Sequence, residues 1–459
     1  MTRPLGLCAL FAACVTTTIL GPTTREQHGS KLFSGSLDDA IVLNDNGAWS
    51  WFEDERAVFD ASAGSLLVSS VADAAGEGGP ARDGNVELVA YHLATGTPTR
   101  TVLHAHLEAD DHNSASLYVR PDGRYVAMYA KHGTDTLTRW RISATPGVAQ
   151  GWQPERTLDH GSGVTYSNIY AANGVLHAFV RAAGGDPYLL LSKDQGATWQ
   201  AEGRVLDGRG APYVRYAVDH HGRIHLLTTE HHPREAPTSV FHGMIVEGRL
   251  LRSDGTVVDA DLSDEFAVRP EQLTKVYGTA GTDRAWTVDL NVDQLGRPHA
   301  VFSVSTSASA RASLGGTSAR TNDYWYAWFD GAAWSSHFLA HAGNALYRNE
   351  PYYTGLVTLD TSDPRRVVVS TDVDPETGEP LVSSADGKQH HELFEGITAD
   401  GGSTWQWQSI TVDSTMDNLR PIIPISVGDH SALVWLRGSY FTYNDYDLEV
   451  VGVIVDRTS

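Results

Sequence analysis

Short apolar runs separated by turn residues recur along the chain, and no 3.6-residue helical period persists over several turns. The fold class expected from this pattern is all-β. A glycine turn leads repeatedly into an apolar strand: Asp122-Gly123-Arg124 before Tyr125 to Tyr129, Asn173-Gly174 before Val175 to Val180, His221-Gly222-Arg223 before Ile224 to Leu227, and Leu295-Gly296-Arg297 before His299 to Val304. Gly123, Gly174 and Gly222 are 51 and 48 residues apart, close to the ~40–50 residues of one four-stranded propeller blade. The longer interval to Gly296 leaves room for an insertion. With a leader removed and the longer interval allowed for, the 459 residues suggest six to eight such blades, and a seven-bladed β-propeller in a single domain is the expectation. No linker marks off a second domain; Thr306 to Thr321, rich in Ser, Ala and Gly, reads as a surface loop.

A second repeat is sharper. Ser192-Lys-Asp194-Gln-Gly196-Ala-Thr198-Trp199 and Thr398-Ala-Asp400-Gly-Gly402-Ser-Thr404-Trp405 share one pattern, with a weaker copy at Trp328-Phe-Asp330-Gly331 to Trp334. This resembles the Asp-box of sialidase-like propellers, a hairpin turn in which the Asp binds backbone amides and the Trp packs between strands. Its role is structural, so neither Trp is a candidate ligand.

Composition adds an export signal. Both cysteines, Cys8 and Cys14, lie in an opening segment where Arg3 precedes an apolar run from Leu5 to Leu20. This reads as a signal peptide over about residues 1–25, leaving a propeller from 26 to 459 that is secreted, extracellular or periplasmic. A lipid anchor on Cys14 is the weaker alternative. The mature chain would hold no disulfide and no cysteine metal ligand. No later segment reaches the ~20 apolar residues of a membrane span. The net charge of −22 argues against nucleic acid as a partner, though a few arginines in a cleft can still reverse the local field.

Four clusters hold more ionisable and aromatic side chains than a propeller core needs. Asp110-Asp111-His112-Asn113 and Lys131-His132 flank one predicted hairpin, so both imidazoles can face one pocket. Thr165-Tyr166-Ser167-Asn168 is followed across the Asn173-Gly174 turn by Arg181, a proton-transfer group beside a planar carboxylate clamp. Pro212-Tyr213-Val214-Arg215-Tyr216 precedes Glu230-His231-His232-Pro233-Arg234 and His242; the histidine spacing invites a metal, but no clean ligand motif emerges. Tyr347 to Tyr353, with Asn418-Leu419-Arg420-Pro421 downstream, has the aromatics and bases of a rim for anionic sugars.

These strings, together with Trp49-Ser50-Trp51-Phe52-Glu53-Asp54 and Ala345-Leu346-Tyr347, resemble in order the sialidase-repeat propeller lyases, a group that includes ulvan lyases and rhamnosyl-glucuronate lyases. The resemblance implies a uronate site at one end of the central channel. It implies His112 as catalytic base, or as shared base and acid, with His132 beside it, Tyr166 as second proton-transfer group and Arg181 as neutraliser of the carboxylate. Arg215, Tyr216, His242, Tyr347 and Arg420 would contact sugar. No cofactor is required; a structural Ca²⁺ or Zn²⁺ is left open, the cysteine ligand of some relatives being missing from the mature chain. The implied partner is an acidic polysaccharide and the expected state a monomer. The implied activity is β-elimination at rhamnose-uronate linkages of ulvan. The alternatives are a rhamnosyl-glucuronate lyase or hydrolase acting on plant gum, and a non-catalytic carbohydrate-binding propeller.

Overall fold

Strands that are buried on both faces read as continuous apolar runs, and strands at a sheet edge lose that character. The computed structural model, which describes residues 1, 32–33, 40–54, 56–264, 266–307, 320–347, 350–426 and 428–456, is organised by this gradient. Ser65–Val71, Tyr125–Tyr129 and Ile224–Thr228 are buried throughout, whereas Thr97–His104, Arg156–Asp159 and Gln200–Arg204 are largely exposed. Each buried strand is second in a sheet and each exposed one is fourth.

The described strands form seven antiparallel sheets arranged as the blades of a propeller. Their innermost strands pack on one another around a central channel: Ala57–Asp60, Ser116–Val119, Thr165–Ala172, Val214–Val218, Arg284–Val292, Val357–Leu359 and Asp417–Ile422. We number the blades one to seven in that order. The seventh is closed by the first described strand, Ile41–Asn44, which pairs with Asp445–Asp456. Blade four carries the insertion expected before Gly296: Arg249–Arg252, Val257–Asp259 and Thr274–Tyr277 make it a six-stranded sheet.

The apolar core lies between blades. Leu67, Leu88, Tyr125 and Ala127 join blades one and two, and Phe179, Leu189, Tyr216 and Leu226 join three and four. The repeated glycines turn the first strand of a blade into the second, with φ of 77° at Gly123, 79° at Gly174, 72° at Gly222 and 75° at Gly296. Both Asp-boxes join the third strand to the fourth. Asp194 accepts from Thr198 N at 2.8 Å and Thr198 Oγ1 at 2.6 Å, and Asp400 repeats this with Thr404 at 2.9 and 2.7 Å. Trp199 is buried, as the repeat requires. The leader with Cys8 and Cys14, and most of the Thr306 to Thr321 loop, lie outside the described residues.

The channel is blocked part-way along. Trp49 to Asp54 leads from the closing strand into blade one, and the buried Arg215 pairs there with Asp54 at 3.1 Å and Asp289 at 3.2 Å. Arg56 pairs with Glu53 at 3.0 Å, also in the buried interior. The far mouth, lined by Val58, Leu117, Ile169, Val218 and Leu290, is an apolar cavity of ≈350 Å³. The near mouth, where the inner strands begin, holds the chemistry.

Candidate active site

Three residues before the inner strand of blade two, Asp111–Asn113 forms a single 3₁₀ turn capped by Asp110, whose Oδ1 accepts from His112 N at 2.9 Å. His132 follows the second strand of the same blade. The two histidines therefore sit in the loops that flank the hairpin rather than on its strands, at one end of it. Their rings stack with centroids 3.7 Å apart and planes 14° from parallel. Asp110 spans both: His112 Nδ1 donates to Oδ1 at 2.6 Å and His132 Nδ1 to Oδ2 at 2.9 Å. His112 Nδ1 also lies 3.0 Å from Asp111 Oδ1. Glu108 anchors the second ring by accepting from His132 N at 3.0 Å, and Tyr443, from the hairpin of blade seven, sets its edge against both rings at 5.5 Å.

Blade three supplies the other half. Tyr166 sits at a bulge near the start of the inner strand, with φ 63°, and Thr165 pairs with Arg181 on the second strand. The Arg181 guanidinium lies over the rings of Tyr166 at 4.8 Å and Tyr213 at 5.2 Å. The Tyr166 ring is 5.5 Å from that of His112. Tyr166 Oη and Arg181 Nη1 are buried without a well-formed hydrogen bond to any described residue, as groups awaiting a ligand would be.

Blade four contributes Tyr213 and His232. His232 Nδ1 accepts from Arg234 N at 3.1 Å, which leaves its Nε2 proton to donate to Tyr213 Oη at 3.2 Å. Beneath them Phe52, Trp51, Trp286 and Tyr353 form an aromatic floor.

The charges follow from this packing. Burial opposes a charged ring at His112, but Asp110 and Asp111 outweigh it and push the pKa up to about 10. At His132 burial and the neighbouring His112 cation win over Asp110, and the pKa falls. Burial, then Arg234 and Arg181, hold His232 down to about 3, neutral at any working pH. Burial and Tyr213 push the Tyr166 phenol well above its ordinary value despite Arg181, so it keeps its proton. Asp111 stays ionised, burial being outweighed first by Arg420, whose Nη1 donates to it at 2.6 Å.

Asp110, His112 and His132 bring three potential metal donors within 4.8 Å of one another, the one such group among the described residues. Their geometry does not suit an ion. Stacked rings run their in-plane Nδ1 lone pairs side by side instead of converging them, and both Nδ1 atoms already donate to Asp110. The trio is a hydrogen-bonded network.

The sequence profile of the BNR repeat-containing family matches residues 81–342, more than half of the chain. The chain belongs to that family. No curated protein sequence matches it. In fold, this BNR repeat protein is similar to a PL25 ulvan lyase bound to -[GlcA(1-4)Rha3S]-, with TM-score 0.64 at 12% identity over 91% of this chain and 95% of that one. A second structure of a PL25 ulvan lyase gives TM-score 0.65 at 12% identity over the same shares, 91% and 95%. The polysaccharide lyase Uly1 gives TM-score 0.53 at 11% identity, over 92% of this chain and 98% of that one.

The BNR repeat propeller thus gathers His112, His132, Tyr166 and Arg181 at one mouth of its channel, with Tyr347 half-buried nearby against Tyr353 and Tyr440. Four expected sugar contacts are elsewhere or enclosed. Arg215 is the cation of the channel plug. Tyr216 stacks on Phe179 at 3.9 Å between blades three and four. His242 is fully buried, accepting or donating with His225 at 3.1 Å and Ser253 at 2.8 Å, and so joins no metal cluster with His231 and His232. Arg420 is buried against Asp111 and Tyr440 and braces the histidine turn from behind. Sequence reasoning passed over Tyr213, His232, Tyr443 and Asp110 as site residues. All but Tyr443 stood in the quoted motifs, and position at the start of an inner strand was the signal that could have singled out Tyr213.

Proposed function

We propose that the protein is an exported polysaccharide lyase that cleaves rhamnose-uronate linkages of the ulvan type by β-elimination, leaving an unsaturated uronate end. The observation that carries this reading is the convergence of a histidine pair, a buried neutral tyrosine and an arginine with Nη1 free of any hydrogen bond among the described residues in one cluster at the channel mouth. Elimination removes the proton at C5, α to a carboxylate, and expels the oxygen at C4. That proton is weakly acidic while the carboxylate is charged, so a cation must offset the charge that develops in the enolate-like transition state. Arg181, protonated at any working pH and offering a bidentate fork, suits the carboxylate. The histidine pair takes the C5 proton, the C5–H electrons form the C4–C5 double bond, and the C4–O bond breaks. Tyr166, kept neutral by burial, gives its proton to the leaving oxygen and is reprotonated from solvent as the histidine is discharged. The likeness in fold to ulvan lyases supports the substrate class.

The test is ultraviolet absorbance of the conjugated uronate while the purified protein is incubated with ulvan and, separately, with gum arabic. Rising absorbance on ulvan is the expected result. A response to gum alone moves the activity to rhamnosyl-glucuronate side chains, and new reducing ends without absorbance would make the enzyme a hydrolase.

A further inference from the structure

The two stacked histidines are chemically the same residue in different surroundings. His112 faces two carboxylates through one nitrogen, Asp110 Oδ1 at 2.6 Å and Asp111 Oδ1 at 3.0 Å, and its side chain is 2% exposed. His132 shares only the second oxygen of Asp110, at 2.9 Å, and its side chain is 25% exposed. Rings 3.7 Å apart cannot both be cationic without strong repulsion. The remaining neighbours sharpen the difference. Asp111 is kept ionised by Arg420 and by Tyr440, which donates to it at 2.9 Å. Arg181 disfavours a second cation at His132, Tyr443 presents a ring edge to both, Tyr166 packs on His112, and Glu108 meets His132 through its backbone amide.

We propose that Asp110 is a positioning residue that divides the charge of the pair: His112 is held as the imidazolium, and His132 is the neutral, reachable ring whose Nε2 takes the C5 proton. This reverses the assignment implied by the family resemblance, in which His112 is the base. The base half of the statement rests on the lyase reading; the charge half does not. With Nδ1 of each ring donating to Asp110, Nε2 is the one atom of His132 left for proton transfer. His112 then supplies fixed positive charge under the developing enolate and has no free pair to offer. A base must be both unprotonated and accessible at the working pH, and only His132 is both.

Nitrogen-15 imidazole spectra of the folded protein, His112→Gln, His132→Gln and Asp110→Asn between about pH 5 and 9 test the charge division without substrate. One ring should stay imidazolium throughout and vanish in His112→Gln. A second should be neutral at pH 7 and vanish in His132→Gln. Asp110→Asn should let His112 titrate within the range, and Asp110→Glu should restore the silent cation. Two neutral rings, or the cation at His132, would overturn the proposal. On ulvan, kcat/KM of the wild type should rise through an acidic limb below the ordinary histidine value. His132→Gln should lose that limb and fall by about 10²–10⁴-fold, while His112→Gln keeps a weakened activity with the limb moved upward because a cation beside the base is gone. A wild-type limb well above neutrality would make His112 the base. Silence on every uronate polymer with the spectra as expected would remove the lyase reading and leave the charge division standing.

Discussion

Tyr166 holds a left-handed backbone, φ 63°, at the bulge that carries it out of its strand. For a bulky residue such a conformation costs about 1–3 kcal/mol and persists where surrounding structure imposes it, commonly at functional sites. Here Phe52, Tyr213, His112 and the Arg181 guanidinium enclose the ring. Arg181 has two separable duties, charge for the carboxylate and a flat fork stacked on Tyr166. Arg181→Ala removes both and should lower kcat/KM by at least about 10²-fold, the scale of one lost transition-state donor. Arg181→Lys keeps the charge without the fork and should fall between Ala and wild type. Steady-state kinetics on ulvan, with thermal unfolding as control for folding, check the order; equal losses would make the fork the sole requirement. At this scale the sequence was only partly readable. His112, His132, Tyr166 and Arg181 stand where turns bring them together. Arg215 and His242 have the same residue types, but Arg215 is enclosed from distant chain by Asp54 and Asp289, and His242 by His225 and Ser253 of its own blade together with Trp334 of the next. No local pattern marks a charge as plugged.

Elements were more legible than residues, because the devices that make a blade are local. The glycine turn needs a positive φ, and the Asp-box closes within seven residues of one hairpin. What the sequence could not show is that the Asp-box also spaces the blades. Gly184 and Gly196 both belong to blade three and both have φ 85°, but a Cβ at Gly184 would meet nothing within 4 Å, whereas one at Gly196 would lie 2.9 Å from Val126 Cγ2 on blade two. Gly184→Ala should therefore cost only the left-handed backbone, about 1–2 kcal/mol. Gly196→Ala should cost that and a further ~1–3 kcal/mol of overpacking. Urea unfolding of the two variants separates the terms; equal losses would mean that blade two yields freely at this contact. The insertion in blade four was visible as a long interval between glycines, yet its pairing of Thr274–Tyr277 back onto Val240–Val246 was not, since that pairing brings together strands with nearly thirty residues between them.

Across the whole molecule the channel plug ties the ring together from inside. Arg215 of blade four reaches Asp54 on the segment entering blade one, Asp289 on blade five, and the carbonyl of Glu53 at 2.6 Å. Removing one partner of such a buried cluster leaves carboxylates uncompensated, which costs about 3–5 kcal/mol. Arg215→Ala should lose that much stability at neutral pH while the folded enzyme keeps its KM for ulvan, since the residue lies in the plug and not at the sugar. The loss should depend on pH with a definite sign. Burial already raises the pKa of Asp54 against the pull of Arg215, and without the guanidinium it rises further. A carboxyl whose folded-state pKa lies above its unfolded value binds its proton first in the folded state, so folding gains stability as pH falls through the raised value towards the unfolded one. The deficit of Arg215→Ala relative to wild type should accordingly shrink on moderate acidification and be largest at neutral and alkaline pH. Denaturant midpoints of both proteins across that interval decide it: a deficit that stays constant, or grows as pH falls, would show that Asp54 and Asp289 are not the charges left stranded.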